Sequence, residues 1–103
     1  MLKDFFLGFV KIHILYHASR EPICGVEILE ELGRHGYHLS PGTLYPTLHR
    51  LTMDGYLSVQ RKVVDGKVRK YYAITEQGLV ALDEARRKIA ELVEEVLGEG
   101  SDK

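Results

Sequence analysis

The chain has 103 residues, which suits one small domain and is too short for two independent cores. Hydrophobic residues make up 45% of it and charged residues 28%, which excludes a disordered chain. No apolar run approaches the roughly 20 residues that cross a bilayer. The formal net charge is −1, and an acidic C-terminal part beside a basic middle argues against nonspecific coating of nucleic acid.

The first segment predicts a helix from about Leu2 to Ala18, read as a mature helix because charges interrupt it and a signal-peptide cleavage site is missing. One small domain has too little interior to cover its two apolar stripes, so part of the helix is predicted to meet another subunit. The first stripe comprises Leu2, Phe5, Phe6, Phe9, Ile12 and Tyr16, and the second comprises Val10, Ile14 and Leu15.

A loop marked by Pro22 and Gly25 precedes a short second helix over residues 26–32. The single cysteine, Cys24, cannot form an internal disulfide, which predicts a reducing cytoplasm. We interpret Cys24 as a buried, inert thiol, with a redox or metal role as the alternative.

Ser40 and Pro41 predict the start of a third helix, with the serine hydroxyl capping free amides and the proline in the first helical position. Pro46 is awkward in this helix, because an interior proline removes a backbone hydrogen bond. Either the helix bends at Pro46, or it starts at Thr43 and has Pro46 in its first turn. The buried stripe of the helix is predicted to be Leu44, Leu48 and Leu51.

Asp65-Gly66 predicts a tight hairpin spanning residues 57–74. The implied register pairs Val64 with Lys67, Val63 with Val68, Lys62 with Arg69, and Arg61 with Lys70. One face is predicted to cover the core and carries Leu57, Val59, Val63, Val68, Tyr72 and Ile74.

Positive charge concentrates in the middle of the chain, around this hairpin and the helix before it. Residues 40–75 carry six cations and two carboxylates, a net of +4, whereas residues 1–39 carry −1 and residues 76–103 carry −4. The register sets cations opposite each other twice, at a cost of up to about 1 kcal/mol per pair, which nearby phosphates would turn into attraction. A capped helix followed by a basic hairpin predicts a winged helix-turn-helix that binds DNA.

Thr75 and Glu76 predict the start of the last helix. Its apolar residues alternate at spacings of 3 and 4, which indicates either a dimer contact or packing on its own domain. The predicted fold is therefore mostly α with a small β-hairpin. It comprises a winged helix-turn-helix over residues 1–75, whose first helix is shared with the dimer contact. A C-terminal dimerisation helix over residues 76–97 and a frayed tail over residues 98–103 follow.

The motif Ser40-Pro41-Gly42-Thr43-Leu44-Tyr45-Pro46, followed by Leu48, Arg50 and Leu51, is similar to the recognition-helix signature of PadR-type transcriptional regulators. The similarity continues through Gly55, the basic hairpin, Lys70-Tyr71-Tyr72, and Thr75 with Gly78. It covers nearly the whole chain, and the single C-terminal helix resembles the short branch of the family.

The resemblance implies a homodimeric repressor that a small ligand or a stress signal releases from DNA. Its first and last helices would form the dimer contact, through Phe5, Phe6, Phe9, Leu82, Ala85, Ile89, Leu92 and Val96. Two features depart from the family: Cys24-Gly25-Val26-Glu27 replaces an aromatic-Gly-aromatic-Glu pattern, and the chain has no tryptophan for a stacked ligand site.

We expect His49 to read base edges, the third helix to enter the major groove, and the hairpin cations to bind the DNA backbone. The alternatives are that Tyr45 packs on the hairpin, that Arg50 pairs with an internal carboxylate, and that the hairpin is merely solvated. The predicted DNA-binding residues are Ser40, Gly42, Thr43, Tyr45, Pro46, His49, Arg50, Lys62, Lys67, Arg69 and Lys70.

Other classes of function remain as alternatives. A metal-responsive regulator would use His13 and His17, one turn apart, with His35, His38 and Cys24. A winged helix used for protein contacts is another. Catalytic motifs are missing from the sequence, so we expect no enzyme and no cofactor. Histidines at such spacing on short helices are usually incidental and no carboxylate-rich cluster accompanies them, so we expect no metal. The expected partners are double-stranded DNA and a second copy of the chain, with a small-molecule effector left open and no membrane.

Overall fold

The computed structural model describes residues 2–98, so the predicted frayed tail lies outside the described residues except for Gly98. No helix within this range is long and apolar enough to cross a membrane. The elements are α1 (Leu2–Arg20), β1 (Ile23–Cys24), α2 (Gly25–Arg34), α3 (Pro41–Met53), β2 (Leu57–Val64), β3 (Lys67–Ile74) and α4 (Glu76–Val96).

The core contains the second apolar stripe of α1, and Ile12 of the first stripe packs against it partly buried. Val10, Ile14 and Leu15 are buried, whereas Phe5 and Phe9 stay exposed. The buried stripe of α1 belongs to one core cluster with residues of the other helices and of the base of the hairpin: Ile28, Leu32, Leu44, Leu48, Leu51, Leu57, Tyr72 and Leu82. The predicted surplus of apolar surface on α1 is therefore present.

Helix α3 begins at the predicted residues, but its first turn lacks the predicted side-chain cap. Ser40 is its N-cap and Pro41 its first residue, so a start at Thr43 is wrong and Pro46 lies inside the helix. The Ser40 hydroxyl does not cap the amides, which is also a correction; its oxygen lies 3.3 Å from the Thr43 hydroxyl oxygen. A neighbouring hydroxyl one turn along has taken the place of the backbone amide.

The sheet has three antiparallel strands in the order β1-β3-β2. The register of β2 and β3 is the predicted one, from Val64 opposite Lys67 to Arg61 opposite Lys70. Asp65 and Gly66 have φ of 51° and 78°, both positive as a type I′ turn requires. The prediction of a loop before α2 is wrong at Ile23–Cys24, which pairs with Tyr72 and Tyr71.

Only the base of the hairpin covers the core. Leu57 and Tyr72 are 2% and 5% exposed, whereas Val63 and Val68 are 72% and 67% exposed. The prediction that the whole apolar face is buried is therefore wrong, because the hairpin extends beyond the helices. We call its outer part, residues 59–70, the distal wing.

The first turn of α4 is fixed against the start of the hairpin. The Thr75 hydroxyl accepts a hydrogen bond from the Gly78 amide at 3.0 Å and donates one to the Gly55 carbonyl at 2.6 Å. A Cβ on Gly78 would collide with the carbonyl oxygen of Tyr56, so glycine is needed here. Leu82, one turn further, is buried in the chain's own core and is not available to a second subunit, unlike the prediction.

Candidate nucleic-acid interface

One side of α3 is open to solvent. Opposite its buried leucines it presents a continuous exposed surface made of Ser40, Gly42, Thr43, Tyr45, Pro46, His49 and Arg50. At Gly42 an added Cβ would meet nothing closer than the Ser40 hydroxyl at 3.7 Å. The fold does not require this glycine, and a glycine in a helix lowers stability by up to about 1 kcal/mol relative to alanine. Close approach of a partner from outside would explain it.

Tyr45 packs on the start of α2, whereas the alternative prediction had it packing on the hairpin. A Cβ at Gly25 would lie 2.6 Å from two atoms of the Tyr45 ring and hydroxyl. Burial, and secondly the neighbouring Tyr45, raise the pKa of Tyr72 above its ordinary value. Tyr45 therefore stands where α2, α3 and β3 meet, and it borders an open cleft of about 450 Å³ with Arg69 and Lys70.

Gly25 is a site residue that the sequence reasoning missed. Its missing side chain makes room for Tyr45, which keeps 41% of its own surface exposed. The only signal was the glycine that this chain retains from the aromatic-Gly-aromatic-Glu pattern.

Arg50 contacts a carboxylate of its own chain, which was the alternative prediction for this residue. Its Nε lies 3.4 Å from Oδ2 of Asp54, one helical turn away. The two side chains are 78% and 50% exposed, and exposed pairs of this kind contribute about 0–1 kcal/mol. Arg50 can therefore exchange Asp54 for a phosphate at little cost.

The wing cations occupy both faces of the hairpin. Lys62, Lys67 and Arg69 share one face by register, and Lys70 lies on the other with Arg61. Within residues 2–98, none of these five cations has a carboxylate oxygen within 4 Å. Lys62 instead lies 5.2 Å from the centre of the Tyr71 ring, and Arg69 Nη1 lies 4.0 Å from Sγ of Cys24. The cations of the distal wing thus have no ion-pair partner among the described residues.

A group of histidines lies where α1 meets the end of α2. His13, His17 and His35 bring ligand atoms within 4.8 Å of one another, and Cys24 and His38 are not part of the group. Burial, followed by His35 and His17, lowers the pKa of His13, which favours its neutral form. These three residues are the ones that a metal ion would fit.

The profile of the transcriptional regulator PadR-like family matches residues 14–84, more than half of the chain. The chain belongs to this family. As a PadR-like regulator it is a DNA-binding protein and not an enzyme, which confirms both predictions. The predicted fold class is confirmed as well.

Three known proteins illustrate the similarity. The transcriptional regulator Rv3488 of Mycobacterium tuberculosis is 50% identical over 97 residues, 94% of this chain and 91% of the relative. The transcriptional activator GvpE1 of Halobacterium salinarum is 39% identical over 67 residues, 64% of this chain but only 33% of the relative. The X-ray structure of a PadR-like transcription factor from Bacteroides fragilis superposes with a TM-score of 0.80 at 32% identity, covering 91% of this chain and 92% of the other.

Proposed function

We propose that this PadR-like regulator binds a near-palindromic operator as a homodimer in the cytoplasm, represses transcription there, and is released by a small molecule or a stress signal. The observation that carries the proposal is the exposed surface of α3 beside a wing whose cations have no carboxylate partner among the described residues. Duplex DNA fits both parts, because its groove admits a helix and its phosphates neutralise the cations.

On DNA, the N-terminal part of α3 enters the major groove. Ser40 and Thr43 donate to phosphates, and Gly42 lets the backbone approach closely. His49 is well suited to read a base edge, because its imidazole is exposed on the same surface. Lys62, Lys67, Arg69 and Lys70 bind the backbone beside the groove or enter the minor groove.

Exposed apolar residues on two helices support the dimer. Phe5 and Phe9 of α1 are 53% and 45% exposed. On α4, three exposed residues continue the stripe of the buried Leu82: Ile89, Leu92 and Val96. At about 100° per residue they lie within roughly 80° of Leu82. The same stripe serves the chain's own core first and a second subunit further along.

Two other predicted dimer residues have contacts or burial within the chain. The Phe6 ring meets Tyr37 edge-on, with 6.3 Å between ring centroids, and Phe6 is still 52% exposed. Ala85 is half-buried. Both stay in the proposed interface as its border.

A two-fold dimer would present two α3 helices to successive major grooves, about 34 Å apart. A signal acts by changing this separation, since dimer contact and DNA contact are then coupled. Whether the regulator represses or activates transcription needs its own test, because one relative is named a transcriptional activator. A reporter placed behind the bound promoter, with and without the regulator, tests repression directly.

The DNA contacts are tested with operator fragments that the protein selects from its own genome. About eight phosphate contacts per dimer predict a slope near −7 in a plot of log K against log salt. Arg69→Ala removes one contact per subunit, so it weakens binding to all sequences and makes the slope shallower by about 2. His49→Ala instead changes the preference among operators.

Lys11→Ala is the matched control, since it removes the same charge from an exposed position of α1. It is expected to keep the affinity and the slope of the wild type. Wild-type affinity and selectivity in both Arg69→Ala and His49→Ala would contradict the proposed contacts. Salt-insensitive binding to a protein, without affinity for duplex, would instead favour a winged helix used for protein contacts.

A further inference from the structure

Three of the five histidines converge at one place. His13 and His17 lie one turn apart on α1, and His35 follows directly after α2. The rings of His13 and His35 are stacked, with 4.7 Å between centroids and 25° between planes. Each residue has a ring nitrogen within 4.8 Å of those of the other two. The packing of α1 against the end of α2 brings them together.

His17 has a ring nitrogen that the fold leaves unsatisfied. Its Nε2 is buried, and among the described residues it has no hydrogen-bond partner. Oε2 of Glu31 lies 3.9 Å away, too far for a hydrogen bond, while Oε1 of Glu31 bonds Arg34. A buried, unpartnered polar atom lowers the stability of the fold unless something binds it.

We propose that His13, His17 and His35 together bind a divalent transition-metal ion of the Zn²⁺ or Ni²⁺ class. Three imidazoles form a ligand set suited to such ions and leave one coordination position open. Glu31 Oε2, beside His17, or solvent takes that position. The ion also satisfies the orphaned Nε2 of His17.

Small side-chain rotations complete the geometry. Zinc–nitrogen bonds of 2.0–2.1 Å require nitrogens roughly 3.4 Å apart in a tetrahedral site. The ring nitrogens lie within 4.8 Å of one another, which is wider than a bound ion requires. His35 is exposed at the end of a helix, so its side chain can rotate toward the other two. Arg86 also borders the cavity of about 300 Å³ at this place, and its exposed guanidinium can turn toward solvent.

The ion would connect two functional parts of the chain. Helix α1 carries exposed phenylalanines, and α2 leads into α3. A bound ion therefore fixes the distance between α1 and the end of α2, and it stabilises the folded chain by mass action. This inference goes beyond the proposed function and does not rest on it.

The test uses the full chain without an affinity tag, titrated with Zn²⁺ alone in calorimetry with a competing chelator. We expect one ion per chain and a higher thermal midpoint. Removing even a group that only orients a ligand costs about tenfold or more in metal affinity. His17→Gln and His35→Gln should therefore each lose at least about tenfold.

His38→Gln is the matched control, because His38 is exposed three residues from His35 and outside the cluster. It should keep the wild-type affinity. If His17→Gln does not fold, the exposed His35→Gln decides, together with the loss of a tetrahedral Co²⁺ absorption spectrum. The absence of zinc binding by the wild type, unchanged binding by His35→Gln, or an equal loss in His38→Gln would overturn the proposal. Failure of the operator experiment would leave these readouts unchanged, so the two proposals fail separately.

Discussion

Two regions of the molecule expose apolar side chains, and they differ in the charges beside them. The distal wing exposes Val63 and Val68 on the face that also carries Arg61 and Lys70. The helical arm, which we define as Phe5 and Phe9 with the part of α4 after Leu82, exposes a stripe that continues the core. Apolar exposure alone therefore does not identify a partner. Neighbouring cations indicate a polyanion, and continuity with the core indicates a second protein surface.

The largest expected effect is on the arm. Leu92→Glu places a carboxylate in the proposed seam, and a two-fold interface contains each residue twice. At about 2 kcal/mol per central side chain, the dimer should lose about 4 kcal/mol, roughly a thousandfold in its dissociation constant. Sedimentation equilibrium measures this.

Val80→Glu is the control for that change. Val80 is 68% exposed on the same helix, but at about 100° per residue it lies roughly 160° from Leu82, on the opposite side. It should leave the dimer intact. Equal dissociation by both variants, or by neither, would remove the arm as the dimer contact.

The second prediction concerns the start of α4, where it packs against the base of the hairpin. Gly78→Ala forces a Cβ against the Tyr56 carbonyl and within 2.6 Å of Cγ1 of Ile74. The backbone must shift, so the free energy of unfolding should fall by about 1–3 kcal/mol in urea denaturation. Gly42→Ala, a helical glycine with open space around it, should keep or gain up to about 1 kcal/mol. A stable Gly78→Ala variant would mean that α4 is docked differently.

The third prediction separates DNA contact from folding at the base of the wing. Gly25→Ala displaces the Tyr45 ring, which can rotate away, so the free energy of unfolding should change by less than about 1 kcal/mol. Loss of one hydrogen bond from Tyr45 would weaken operator binding about fivefold, or about 1 kcal/mol. Anisotropy titrations measure the affinity. In a Tyr45→Ala background the same substitution should have little further effect, and full additivity of the two changes would contradict the contact.

Local chemistry explains which parts of the fold were predictable. Asp65 and Gly66 both adopt positive φ, so these two residues determined the turn and with it the register of both strands. Strand alternation likewise identified the face that carries Val63 and Val68, but not the point at which the core ends. Helical spacing identified the stripe of Leu82 with the same limit, since it does not reveal where the chain's own core ends along α4.

Long-range packing explains what the sequence left open. Two residues are too few for a periodic pattern, so Ile23–Cys24 became a strand only through pairing with β3. The i, i+4 spacing put His13 and His17 on one side of α1, but only the approach of α2 selects His35 and leaves out His38. For Tyr45 the sequence offered packing on the hairpin as the alternative to DNA contact, whereas the space that accepts its ring is at Gly25.

The smallest expected effect is on the distal wing, and it sharpens the comparison with the arm most. Val63 is 72% exposed and pairs with Val68, which is 67% exposed. Val63→Ser should therefore change the free energy of unfolding by no more than about 0.5 kcal/mol, as for other surface positions. It should also leave the dimer intact in sedimentation, because the wing takes no part in the proposed seam. A loss of dimer in Val63→Ser would place the wing valines in a protein contact, and the charges beside them would then no longer distinguish the two regions.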